Sequence, residues 1–173
     1  KDYGLTPFGK QLVEAMNQLK MIIDVSHLSD QGVSDVLNYS EQPVVASHSN
    51  ARAVKKHSRN LSDELIKQIA AAGGIIGINF VPRFLGYSRQ FKIKDIVRHI
   101  KHIKKVGGAE VIALGSDFDG FKGTGELKQI GEIDKLFTAL KNAGFSDDEL
   151  DKLRYENAQR VIKKVLGSGA SGE

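Results

Sequence analysis

The residues best able to carry chemistry in this chain are two histidines, two aspartates and two arginines. His27 closes the apolar run Met21-Ile22-Ile23-Asp24-Val25-Ser26, and His48 closes Val44-Val45-Ala46-Ser47. Side chains alternate along an extended strand, so Ile23, Val25 and His27 share one face, as do Val44, Ala46 and His48. If both faces turn toward a common mouth, two neutral imidazoles converge there, which is what a divalent metal requires. The plainer reading, two hydrogen-bonded histidines at loop starts, stays open at this point. Asp117, in Ala113-Leu114-Gly115-Ser116-Asp117-Phe118-Asp119-Gly120, shares a face with Val111, Ala113 and Gly115, and can ligate a metal or move a proton. Asp119 suits a turn before Gly120, and Asp117 can be read as a turn residue as well. Arg52 and Arg59, in the polar loop after His48, can each hold a carboxylate through a two-pronged contact. Their side-chain chemistry does not choose between them.

The elements that must position these groups alternate. Thr6 before Pro7 marks a helix start, followed by an apolar stripe of Leu12, Met16 and Leu19, with an end near Lys20. A strand over 21–26 leads to Ser29, which caps a helix carrying Val33, Val36 and Leu37. A second strand over 43–47 leads to Ser62, which caps a helix through Ala72 that stops at Gly73. A third strand over 75–80 precedes an irregular stretch over 81–92 and a helix with Ile96, Ile100 and Ile103 aligned, closed by Gly107-Gly108. The fourth strand spans 111–116, and helices are expected over 132–142, 147–153 and 156–166. Four strand-helix units with near-continuous apolar strands predict an α/β fold of parallel βα units. Such units build an open doubly wound sheet or part of a (β/α)8 TIM barrel, and a complete barrel needs about 250 residues.

Composition narrows the classes. The chain has 173 residues, 40% of them hydrophobic, enough for one core and too few for two full-sized domains. We expect one unit over 1–166 and a flexible tail over 167–173. The net charge of +4 is spread in short runs such as Lys104-Lys105 and Lys163-Lys164, without interleaved aromatics, so no nucleic-acid partner is expected. There is no cysteine, which excludes thiolate metal sites, disulfides and cysteine nucleophiles. Gly120, Gly123 and Gly125 match no phosphate-binding pattern. His57, His99 and His102 read as surface or helix residues, the last two flanked by lysines on an amphipathic helix. No apolar run approaches the roughly 20 residues that span a bilayer, and no signal pattern opens the chain, so a soluble, cytoplasmic protein is expected. A chain that opens on Lys1 and closes on Gly-Ser-rich residues also fits a piece excised from a longer protein.

A set of ordered motifs resembles the membrane (renal) dipeptidase family. They are Gly4-Leu5-Thr6-Pro7-Phe8-Gly9, Met21-Ile22-Ile23-Asp24-Val25-Ser26-His27, Ala46-Ser47-His48-Ser49-Asn50-Ala51-Arg52, Arg59-Asn60-Leu61, Gly77-Ile78-Asn79-Phe80, Gly115-Ser116-Asp117-Phe118-Asp119-Gly120 and Glu156-Asn157. Their order and separations make the resemblance more specific than any one of them. It implies a (β/α)8 barrel metallopeptidase that hydrolyses dipeptides with two zinc ions per site, this chain supplying the C-terminal half of the barrel. Carried across, His27 and His48 look like the ligands of one zinc, Arg59 like the clamp on the dipeptide's carboxylate, and Asp117 like the acid/base that also touches substrate. The resemblance thereby selects Arg59 over Arg52. Ser58 stands where a proline often precedes that arginine.

One departure qualifies this. The His-x-Asp of the other zinc, the glutamate that bridges the metals and a further substrate-binding histidine have no counterpart here. The chain by itself is therefore expected to bind metal weakly and to be inactive, with either the missing N-terminal half of the barrel or self-association covering its open edges. Two other classes remain: a non-catalytic half-barrel interaction module, and another TIM-barrel metallohydrolase.

Overall fold

The computed structural model describes residues 3–121 and 124–167, so most of the expected tail, and Gly123, lie outside the described residues. Three helix starts are capped by the side chains that the sequence singles out. Thr6 Oγ1 accepts the Gly9 amide at 3.1 Å and opens α1 (Pro7–Gln18). Ser29 Oγ accepts the Gly32 amide at 3.2 Å and opens α2 (Asp30–Tyr39). After β1 (Val45–Ala46), Ser62 Oγ accepts the Leu65 amide at 3.3 Å and opens α3 (Asp63–Ala71). Each bond satisfies an amide that the first helical turn cannot pair internally.

β2 (Ile75–Ile78) follows α3. The stretch expected to be irregular contains a short helix, α4 (Pro82–Leu85), and a short strand, β3 (Gln90–Phe91), before α5 (Ile93–Gly107). Then come β4 (Ile112–Leu114) and β5 (Thr124–Gly125). β1, β2 and β4 form one sheet, parallel throughout, in the register Val45 to Ile75 and Gly77 to Ala113, while β3 pairs with β5 apart from it. The strand expected over 21–26 is reduced to a parallel bridge, Asp24 opposite Val45, because the Ser47 amide goes to the Asp24 side chain and the Val25 carbonyl takes the Leu28 amide, which stops the ladder there. The architecture is thus α/β with parallel βα units, the class expected for an arc of barrel wall.

The two faces of this arc are covered differently. Ile23, Val25, Val44, Ala46, Ile76, Ile78 and Ile112 join the main core with residues of α1 to α5. The alternate residues Ile22, Val45, Ile75 and Ala113 pack instead against Ala158, Val161 and Val165 of α8 (Asn157–Leu166). That helix is reached through α6 (Asp134–Asn142) and α7 (Asp147–Asp151). The two final helices expected from the sequence are one continuous rod, joined by a π turn over Lys152–Glu156. Buried Asn157 donates to the carbonyls of Ala109 and Ile112, both at 2.8 Å, and so pins this rod to the entry of β4.

Two expectations are corrected. The stripe on α1 faces the core only in part: Met16 packs there beside Val13, whereas Leu12 and Leu19, with Phe8, are 49, 70 and 73% exposed. His99 is wholly buried, its Nδ1 accepting the Ala51 amide and its Nε2 donating to the Leu85 carbonyl, both at 3.1 Å. It occupies the 96, 99, 100, 103 spacing of the buried face of α5, and flanking lysines said nothing about that face. His102 bonds Asp63 at 2.7 Å and links α5 to α3. Among the described residues no helix is long and apolar enough to cross a membrane.

Candidate metal and substrate site

His27 and His48 meet at the end of the sheet toward which the strands run. Their Nε2 atoms are 2.9 Å apart and their rings are tilted by 60°. Two nitrogens on one tetrahedral zinc stand about 3.3 Å apart, given Zn–N bonds of about 2.05 Å. The rings need open by only a few tenths of an ångström to share an ion. Two uncharged imidazoles suit that role, and partial desolvation, the Arg59 guanidinium and His48 all hold the His27 imidazole below its ordinary pKa although the residue is largely exposed. Among the described residues, however, no cluster of three or more His, Cys, Asp or Glu side chains can hold a metal. The donors present fit half of a metal site.

Local backbone, more than strand alternation, aims these groups. His27 (φ 76°) and Asp117 (φ 61°) both adopt the left-handed conformation, which turns each side chain away from the direction its strand position would give. The face-sharing argument from sequence places His27 with Ile23 and Val25, yet those two are buried under helices and His27 is exposed. Asp117 is half-buried, and its Oδ2 accepts from Asn79 Nδ2 at 3.2 Å. Asn79 is fixed in turn: its Oδ1 accepts the Val81 amide at 2.6 Å, and its backbone bonds both ways to the buried Asn50 side chain. Asp119 lies exposed in the turn that closes from the Gly120 amide to the Asp117 carbonyl at 3.0 Å.

The arginines separate cleanly. Arg52 is committed to the fold, with Nη1 and Nη2 on the two carboxylate oxygens of Asp30 at 2.5 and 2.6 Å and Nε on the Asn60 carbonyl at 2.8 Å. Arg59 has no ion pair among the described residues and lies over the Phe84 ring at 5.8 Å. Burial lowers its pKa, and the negative charges of Asp117 and Asp24 partly offset that. Arg59, His48 and Asp117 all act electrostatically on His27, as does Asp24, so His27, His48, Arg59 and Asp117 occupy one neighbourhood. His57 holds the loop, its Nδ1 accepting the Arg59 amide at 3.0 Å.

Residues given no role from the sequence complete the site. Asp24 accepts the Ser26 amide at 2.9 Å, the Ser47 amide at 3.0 Å and the Ser47 hydroxyl at 2.5 Å. A carboxylate inside an otherwise apolar strand was the available signal. Gly77 and Gly115 are required because the Ser47 carbonyl crosses above them, where a Cβ on either would collide with it. Beside the Arg59 loop, a cleft of about 790 Å³ is lined by Lys55, Lys56, His57, Arg83, Arg89 and Phe121, among others.

Comparison with known proteins identifies the family and the fold. The profile of the membrane dipeptidases (peptidase family M19) matches residues 1–170. A Klebsiella pneumoniae protein described as an uncharacterized protein in the pqqA 5′ region is 38% identical over 166 residues, covering 94% of this chain and 61% of that one. A dipeptidase of Claviceps purpurea is 32% identical over 171 residues, 98% of this chain and 40% of its own length. A metallopeptidase of Rhodobacter sphaeroides, solved with a phosphinate mimic of L-Ala-D-Ala, superposes with a TM-score of 0.89 at 33% identity over 94% of this chain and 47% of its own. The chain spans about half the length of the relatives it matches.

Proposed function

The chain belongs to the membrane dipeptidase family, and from that premise we propose that it supplies part of the active site of a zinc-dependent dipeptidase. His27 and His48 hold one zinc ion, Arg59 receives the α-carboxylate of the dipeptide, and Asp117 takes up a proton and delivers it to the leaving amine. What bound zinc supplies is Lewis acidity toward the scissile carbonyl and the attacking water. The observation that carries this reading is the 2.9 Å approach of the two imidazole Nε2 atoms beside a guanidinium without an ion pair among the described residues.

Each role follows from a placement. Arg52 is spent on Asp30, so Arg59 is the arginine available to a carboxylate. Asn79 holds Asp117 at Oδ2, while Oδ1 lies against Gly120, so the carboxylate is fixed in one orientation for its proton-transfer role. The second zinc and its ligands are assigned to residues outside this chain, and the rest of the barrel is the partner. Two features support that partner: β4 has no further strand beside it among the described residues, and Phe8, Leu12 and Leu19 leave an apolar face on α1.

The test is zinc content and dipeptide turnover on the purified chain, alone and in the whole protein. We expect at most one weakly held zinc and no efficient turnover for the chain alone, and two zinc ions with turnover for the whole. Two tightly held zinc ions with full turnover from the chain alone would refute the division of the site.

A further inference from the structure

We propose that Asp24 and Ser47 are positioning residues that fix His48 in its Nδ1–H tautomer, so that Nε2 presents a lone pair toward His27 and the metal position. The inference rests on the reading of His48 as a ligand and adds the hydrogen-bond relay that makes it one.

The hydrogens available set the direction of each bond. Ser47 Oγ lies 2.5 Å from Asp24 Oδ2 and 2.7 Å from His48 Nδ1. A hydroxyl carries one hydrogen. Asp24 is an acceptor only, since its other oxygen already takes the amides of Ser47 and Ser26 at 3.0 and 2.9 Å. Burial alone would raise its pKa, but the bonds from Ser47 and Ser26 outweigh that and hold the carboxyl ionised. The Ser47 hydrogen therefore goes to Asp24, where a short charge-assisted bond forms. Ser47 Oγ is left as the acceptor for His48, which must carry its proton on Nδ1. The third neighbour, Ser26 Oγ, is farther from Ser47 at 3.4 Å and takes the His48 amide at 3.0 Å, fixing the backbone from which the ring projects.

The relay also spans two structural units. Asp24 sits on the bridge to Val45, flanked by the bonds from the Val25 amide to the Val45 carbonyl at 2.8 Å and from the Val45 amide to the Ile23 carbonyl at 2.9 Å. One carboxylate thus ties the segment that leads into His27 to the residue that orients His48. Metal-binding histidines commonly donate their second N–H to a carboxylate or carbonyl. Here the donation is routed through a hydroxyl, which allows Asp24 to stay three residues from His27 and still control His48.

The test reads the tautomer directly, by long-range 1H–15N correlation of the histidine rings in the 15N-labelled metal-free chain above pH 8. Wild-type His48 should give the Nδ1–H pattern. Ser47→Ala should shift it toward the Nε2–H form that free imidazole favours, and Ser47→Thr, which keeps the hydroxyl, should restore it. Asp24→Asn places an amide donor against the hydroxyl and should reverse the relay, turning His48 to Nε2–H. Cobalt affinity should fall about 10- to 100-fold in Ser47→Ala and recover in Ser47→Thr. An Nε2–H wild-type ring overturns the proposal without any variant, as does a tautomer switch with unchanged cobalt affinity. Cobalt affinity is read in the whole protein; if that binds no cobalt at all, the metal reading fails, and the ring spectrum of the chain still decides whether the relay exists.

Discussion

Asn79 Nδ2 donates to Asp117 Oδ2 at 3.2 Å, so the end of β2 orients a carboxylate that leaves the end of β4. Asn79→Ala removes this bond and also strips the buried Val81 amide of its acceptor. An orphaned buried donor costs about 1–3 kcal/mol. Urea denaturation should show a loss of that size, with turnover in the whole protein falling further than stability explains, because Asp117 becomes free to rotate. Equal stability and activity in the variant would contradict the arrangement.

The two arginines of one loop should behave oppositely. Arg52→Lys keeps the charge and loses the fork on Asp30 and the Nε bond to Asn60, and should lower stability by about 1 kcal/mol. Arg59→Lys should leave the thermal midpoint near wild type and raise KM for dipeptides with little change for their C-terminal amides. Thermal unfolding and a paired substrate series measure both.

His99 predicts an acid limb in stability. Burial, the largest influence, pushes its pKa down to about 4, below the ordinary value of 6.5. The unfolded chain therefore binds more protons than the folded one between these values, and stability present above pH 6.5 is lost as pH falls through 4. The loss should be on the order of 3 kcal/mol, at 1.36 kcal/mol per unit. Denaturant midpoints at pH 7 and pH 4.5 read it, and His99→Gln, already destabilised at pH 7, should flatten most of the slope. His27 and His57, also held low by partial desolvation and nearby cations, contribute with the same sign.

Gly77→Ala and Gly115→Ala each set a methyl group against the Ser47 carbonyl, which is backbone and cannot rotate aside. We expect a loss of about 1–3 kcal/mol or more and weaker metal binding, since the same peptide carries His48. Gly144→Ala, where nothing lies within 4 Å of the new methyl but φ is 92°, isolates backbone strain from collision and should leave metal binding unchanged.

What could be read from the sequence was local. Thr6, Ser29 and Ser62 announced their helices because a cap is a bond between near neighbours, and four strand-helix units followed from apolar runs alone. The burial of His99 was legible in its spacing with Ile96, Ile100 and Ile103 and was obscured by the lysines around it. The direction of His27 was not legible. A period of two holds only while the chain stays extended, and His27 sits at the left-handed step where it stops. The outward face of α1 could not be read either, since an apolar stripe declares that something covers it and not whether the cover is in the same chain.

α8 lies across the inner face of the arc at the end away from His27 and His48, its Ala158, Val161 and Val165 seated on Ile22, Val45, Ile75 and Ala113. Along these strands the base of the arc is stoppered by a helix. The imidazoles lie at the opposite end, so the loops of Arg59 and Asp117 are this chain's share of the rim by which a small molecule would approach them.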